Sequence, residues 1–221
     1  LVPVKIDLGT KVINIEGVID RVDIKENGNQ IDTFVVDYKT GSREFSLDLC
    51  IAGIDIQLPI YLKAVEESNP KYRGVGFFYL PIKDYIVGNE TLSQEEILEE
   101  IFKKLRLDGI VIRDLDLLKS IDAKLTNKSN VIYLRSNSKL ENKDNLFTKE
   151  ALDKLVDEVL EKTKENIKRL YQGDIRAYPM LYNKTSNCIY CDYSQICKFN
   201  LRRNKKYSLV DKADWKEYRD E

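Results

Sequence analysis

Phe34-Val-Val-Asp-Tyr-Lys-Thr-Gly41, preceded by Gly17-Val-Ile-Asp-Arg-Val-Asp23, is the stretch from which the fold of this chain is read. Both segments have the apolar character of strands. Asn27-Gly28 between them signals a hairpin, because tight two-residue turns demand positive φ. Side chains alternate along a strand with period two. With a two-residue turn centred on Asn27-Gly28, Asp20 opposes Val35; with a four-residue loop, it opposes Asp37. Either register leaves Asp20, Asp37 and Lys39 on one face, whereas a loop of three or five residues breaks the pattern. The other face carries Ile19, Phe34, Val36 and Tyr38, apolar enough to pack against helices. A sheet covered on both faces predicts a mixed α/β layer architecture.

Aspartate is disfavoured in strands. Two carboxylates facing each other across a hairpin repel unless a cation or a lysine intervenes. The plain alternative is a salt-bridged surface hairpin in which Lys39 neutralises both acids. The apolar settings Val18-Ile19-Asp20 and Val35-Val36-Asp37 weigh against it. A pair of carboxylates able to hold a divalent cation, with an ammonium close by, suits hydrolysis of a phosphodiester. The metal stabilises charge on the phosphate and lowers the pKa of a bound water, and the lysine orients that water or offsets developing negative charge. The 221 residues contain no histidine, so chemistry within them falls to carboxylates, lysine, tyrosine and bound metal.

Working outward, residues 1–25 alternate well enough for two strands with a turn at Gly9-Thr10. Asp55 to about Glu67 is predicted helical, with Pro59 tolerated in the first turn where amides lack intrahelical partners. Gln57 and Tyr61, four apart, then share a face. Gly74–Leu80 is a further strand stopped by Pro81. Ser93 with Glu96 forms a capping box that opens a helix to about Leu105. Residues 120–146 are polar, lack helical periodicity and are expected to form a loop or hairpin. Leu152, Leu155, Val156, Val159, Leu160, Ile167 and Leu170 mark a long amphipathic helix ending near Gly173.

Three of the four cysteines fall in Cys188-x2-Cys191-x5-Cys197. Such spacing offers three thiolates from a tight turn, suited to zinc or to an iron–sulfur cluster, and both need a fourth ligand. Cys50 sits in Leu49-Cys50-Ile51, where a buried apolar role is the better expectation. A disulfide is the weakest reading, given the absence of a secretion signal.

The chain carries 36 basic and 37 acidic residues. A surface for nucleic acid would therefore have to be a local patch rather than an overall charge. No apolar run approaches the roughly 18 residues of a membrane span, and a soluble, cytoplasmic protein is expected. The opening Leu-Val-Pro-Val, already strand-like, is expected of a fragment of a longer polypeptide.

Gly17-x-Ile-Asp-Arg-x-Asp23, Asp37-Tyr-Lys-Thr-Gly41 and Gln57-x-x-x-Tyr61, in that order, resemble the RecB-type nucleases of the PD-(D/E)xK superfamily. Gly173-Asp-Ile, Pro179 and Cys188-Ile-Tyr-Cys-Asp-Tyr-Ser-Gln-Ile-Cys-Lys-Phe199 are similar to the end of AddB-type subunits of helicase–nucleases. The resemblance implies a restriction-endonuclease-like mixed sheet flanked by helices, with a nuclease core over residues 1–180 and a cysteine-rich segment and tail over 181–221. It implies Mg²⁺ (or Mn²⁺) held by Asp20, Asp37 and the backbone carbonyl of Tyr38, Lys39 as the catalytic lysine, and Gln57 and Tyr61 flanking the site. It further implies a [4Fe–4S] cluster on Cys188, Cys191 and Cys197 with a fourth cysteine upstream, and an AddA-like partner subunit. Single-stranded DNA delivered during double-strand break repair would be the substrate. The family also has a helix before the first strand that supplies further active-site groups, and these residues are expected to lack it. Two alternatives stay open: a stand-alone exonuclease akin to the CRISPR adaptation nucleases, and a catalytically silent DNA-binding module stapled by a metal cluster.

Overall fold

In the computed structural model, residues 2–41, 44–83, 92–136, 138–200 and 207–219 are described; of the predicted tail segment, 201–206 and 220–221 lie outside them. The largest sheet among the described residues has five strands in the order β3-β4-β5-β6-β7. These are β3 (Arg21–Asn27), β4 (Gln30–Lys39), β5 (Tyr72–Pro81), β6 (Asp108–Ile112) and β7 (Leu146–Phe147). The β3–β4 and β5–β6 pairs are antiparallel, and β4–β5 and β6–β7 are parallel. A parallel pair needs a crossover. Two helices provide the one between β4 and β5, α1 (Leu47–Ile51) and α2 (Gln57–Ser68). The mixed sheet flanked by helices is the architecture the sequence predicted.

The hairpin turn differs by one residue from the predicted centre. Asn27 pairs with Gln30, leaving Gly28 and Asn29 in the turn with Gly28 at φ +61°. Moving the turn by one position changes each opposed pair by two, so parity survives. Arg21 pairs with Val36, which brings Asp20 alongside Asp37. Residues 1–25 hold more than the two strands expected. β1 (Val4–Asp7) and β2 (Val12–Ile15) form their own two-stranded sheet around Gly9 at φ +85°, and Gly17–Asp20 are a break before β3.

Strand β4 runs through the sheet interior, and Phe34, Val35 and Val36 are all buried. Tyr38 is not, contrary to expectation: 37% of it is exposed. The pairing of β3 with β4 ends at Arg21–Val36, so beyond that point β4 has lost the neighbour that would help cover Tyr38. Pro59 lies in the first turn of α2 as predicted, and the α2 face made of Leu58, Leu62 and Val65 is buried. The capping box of α3 (Gln94–Lys104) forms with both of its arms, Ser93 accepting from Glu96 N and Glu96 accepting from Ser93 N.

Helix α4 (Leu115–Ile121), capped by Asp114, leads into residues 120–146, which are largely loop as predicted, with one 3₁₀ turn (Leu140–Asn142) before β7. The loop before β7 is organised by buried Asn145, whose amide donates to the carbonyls of Gly109 and Tyr133 and accepts from Arg135 N. Helix α5 (Lys149–Tyr171) is capped by Thr148 and stops before Gly173, which takes φ +77°. Its Leu152, Leu155, Val156 and Val159 are buried, whereas Leu170 is exposed.

The chain after α5 returns to the core. Tyr182 OH donates to Asp48 Oδ2 at 3.0 Å, and Asp48 Oδ1 accepts from Ala213 N at 2.8 Å. Helix α7 (Trp215–Arg219) inserts Trp215 edge-on against Phe45 and Phe147 and stacks Tyr218 on Phe147.

Candidate active site

Asp37 is an acid in a central strand, and only 3% of it is exposed. A buried carboxylate must be paired or hydrogen-bonded, and two residues do so. Gln57, the first residue of α2, donates from Nε2 to Asp37 Oδ1 at 2.8 Å. Lys39 Nζ lies 2.5 Å from Asp37 Oδ2 and donates to Gln57 Oε1 at 2.9 Å. The three side chains therefore close a ring. The Lys39 contact to Oδ2 is an ion pair without hydrogen-bond geometry, and Oδ2 is a buried carboxylate oxygen with no hydrogen bond among the described residues.

Tyr61, one turn along α2, accepts from Gln57 Nε2 at 3.1 Å through its hydroxyl oxygen. Its ring rests on Gly17. Asp20 is exposed, and its Oδ2 accepts from Tyr38 N at 2.8 Å. That contact continues the hairpin ladder past Arg21 by a side chain in place of a backbone carbonyl. All five side chains singled out from the sequence thus lie around the ends of β4 and α2. Asp20 sits at the exposed rim and Asp37 on the floor.

Two further residues were not foreseen. Tyr79 of β5 is the register partner of Asp37, and its ring lies 4.9 Å from Lys39 Nζ. Its hydroxyl donates to Asp55 Oδ1 at 2.6 Å, and both groups are buried. Periodicity could not single out Tyr79 within the apolar run Gly76-Phe-Phe-Tyr-Leu80. Asp55 carried a faint signal, an acid just ahead of a helix N-terminus.

The donor chemistry fits a hard divalent cation. Asp20 and Asp37 supply carboxylate oxygens, and Asp37 Oδ2 is buried and faces the Lys39 ammonium. Oxygen ligands of this kind are what Mg²⁺ selects.

The cysteine segment is different. Cys188 lies in a 3₁₀ turn (Asn187–Tyr190), Cys191 closes it, and Cys197 ends a short helix, α6 (Ser194–Cys197). Cys191 and Cys197 are exposed. Among the described residues, no three cysteine or carboxylate side chains gather into a metal-holding group. The spacing brings three thiols onto one surface segment but does not converge them. Cys50 does not fit as a fourth ligand. It is fully buried in α1, and burial, reinforced by the Asp55 charge, pushes its thiol far above the ordinary range.

Residues 1–198 match the PD-(D/E)XK nuclease superfamily. The chain belongs to that superfamily. Within it, the chain is similar to the B subunits of ATP-dependent helicase/deoxyribonucleases. The one from Thermoanaerobacter sp. is 35% identical over 217 residues, and the one from Caldanaerobacter subterraneus is 33% identical over 222. That of Clostridium acetobutylicum is also 33% identical over 222 residues. The alignments cover 94–96% of this nuclease-superfamily chain but only 19% of each relative, so it spans about a fifth of their length. Among the described residues no helix is long and apolar enough to cross a membrane.

Proposed function

We propose that this chain is the nuclease domain of an AddB-type helicase–nuclease subunit, hydrolysing phosphodiester bonds of single-stranded DNA during double-strand break repair in the cytoplasm. An AddA-like helicase–nuclease would be its partner. The observation that carries the proposal is the state of Asp37. It is a buried acid clamped by Gln57 at Oδ1 and by the Lys39 ammonium at Oδ2, with the exposed carboxylate of Asp20 beside it at the end of β4. Two acids gathered around one ammonium suit a site that takes up a further cation, since a simple ion pair needs only one acid.

Asp37, Asp20 and the Tyr38 carbonyl would hold Mg²⁺ or Mn²⁺. The bound cation supplies charge stabilisation at the phosphate and a more acidic water. Asp37 is held rigid by the Gln57 amide, so it needs no reorganisation to act as a ligand. Lys39 is the cation available to orient the attacking water and offset charge on the phosphate. Gln57 keeps Lys39 and Asp37 in register, and Tyr61 fixes the amide of Gln57. Contacts are to the phosphate backbone, so binding should be salt-dependent and tolerant of sequence.

Cys188, Cys191 and Cys197 are proposed as three ligands of a [4Fe–4S] cluster whose fourth cysteine comes from upstream in the parent protein. Similarity to the helicase/deoxyribonuclease relatives along nearly the whole chain favours this function over a stand-alone exonuclease of the CRISPR-adaptation kind.

The test is Mg²⁺-dependent degradation of end-labelled single-stranded DNA by the parent polypeptide in complex with its partner, whose own nuclease site is inactivated. Asp37→Ala should abolish cleavage and leave DNA binding intact. Absence of cleavage by the wild type would instead favour a silent, cluster-stapled DNA-binding module.

A further inference from the structure

Lys39 is the member of the ring with the longest unbranched stem. Its flexible stem has no fork geometry to hold it in place, and only 19% of the side chain is exposed. Asp37 and Gln57 contact it from one side. From β5, the aromatic face of Tyr79 meets it at 4.9 Å from the ring centroid. The ring face is the negative end of the aromatic quadrupole and attracts an ammonium, most strongly where water is thin.

Tyr79 is itself braced. It is 1% exposed, and its hydroxyl is held by the buried carboxylate of Asp55 at 2.6 Å. Asp55 lies two residues before Gln57 and is tied back to α1 through its amide, which donates to Leu49 O at 3.1 Å. One short turn of chain therefore presents both the amide that contacts Lys39 and the acid that orients the ring beneath it.

We propose that Tyr79, braced by Asp55, is a positioning residue for the Lys39 ammonium, acting through its aromatic face. The inference rests on the role proposed above for Lys39. A hydrogen bond from the Tyr79 hydroxyl to an anion directs electron density into the ring and strengthens the same face, so Asp55 and Tyr79 work in one direction.

The experiment uses the full-length protein with its nuclease-inactivated partner, Mg²⁺ and end-labelled single-stranded DNA. Position 79 is replaced by phenylalanine and by phenylalanines carrying one, three and five ring fluorines. Fluorination empties the ring face while nearly preserving its shape, so packing stays constant. Tyr79→Phe, which removes the brace to Asp55 but keeps the ring, should lower kcat by a few-fold and is the reference for the fluorinated series. The kcat should then fall stepwise with fluorination, by roughly tenfold across the series, while KM for DNA stays within about twofold. A flat kcat series, or a loss confined to KM, overturns the proposal. Lys39→Ala is run in parallel. If Lys39→Ala is inactive and the series is flat, only the role of Tyr79 fails. If Lys39→Ala cleaves at the wild-type rate, or the wild type does not cleave, the proposed function of the site and this inference fall together.

Discussion

Gly17 lies against Tyr61 so closely that a Cβ at position 17 would stand 2.8 Å from Cε1 of the ring and 3.3 Å from the hydroxyl. The break between β2 and β3 is thereby the seat of a side chain from α2. The same tyrosine hydroxyl accepts from Gln57, so the backbone at Gly17 reaches Asp37 through two side chains.

Gly17→Ala should therefore swing the Tyr61 ring away and cost the hydrogen bond to Gln57. We expect cleavage to drop by about tenfold, with a stability loss of about 1–2 kcal/mol from overpacking and the lost bond. Single-strand cleavage by the full-length protein and its thermal unfolding midpoint check this together. A wild-type rate would break the proposed link between Gly17 and the site.

Gln57→Ala removes the amide that joins Asp37 and Lys39. Asp37 Oδ1 loses its donor inside a buried setting, and Lys39 loses an acceptor. Groups that orient a metal ligand typically contribute about 10- to 100-fold to affinity or activity. The Mg²⁺ concentration for half-maximal cleavage should rise on that scale, and a magnesium titration of the variant measures it directly.

The cysteines should separate by reactivity. Burial pushes the Cys50 thiol far up and leaves it uncharged at neutral pH, and it has no exposed surface. The thiolate is the reactive form. Alkylation should label the exposed Cys191 and Cys197 first in the metal-free protein. Cys188 should follow, and Cys50 only after unfolding, as read by peptide mass. Loading with iron and sulfide should protect the first three and leave Cys50 unchanged. Rapid labelling of Cys50 in the folded protein would contradict its place in the core.

Tyr218→Ala should destabilise the domain through the sheet rather than through the tail alone. The ring stacks on Phe147 at 5.7 Å between centroids, and its hydroxyl donates to Glu158 Oε2 at 2.5 Å, so α7 closes the core over β7 and α5. Removing a buried aromatic costs about 3–5 kcal/mol. Tyr218→Phe, which keeps the ring, should cost about 1 kcal/mol. Denaturant unfolding of the two variants separates packing from the hydrogen bond.

Much of the site is legible in the order of the residues. The parity that puts Asp20, Asp37 and Lys39 together survives a shift of the hairpin turn to Gly28-Asn29, because moving a turn by one residue leaves the facing set unchanged. Gln57 and Tyr61 share a face by helical period alone, and the Ser93–Glu96 box forms from neighbours in the chain. The 120–146 loop is legible from its polar composition, but the way it is held, by Asn145 bonding to Gly109, Tyr133 and Arg135, is not.

The division follows the range of the interaction. Strand alternation, helix faces, caps and turn glycines depend on residues within a few positions, so the amino-acid order alone determines them. The parallel pairing that sets Tyr79 beside Asp37, the brace from Asp55, the seat of Tyr61 on Gly17 and the return of Trp215 and Tyr218 to the core join segments distant in sequence. Such contacts form only when packing compensates the entropy of closing long loops. Only the tertiary structure decides which distant side chains meet, and here it gives Lys39 a third contact, the Tyr79 ring, besides Asp37 and Gln57.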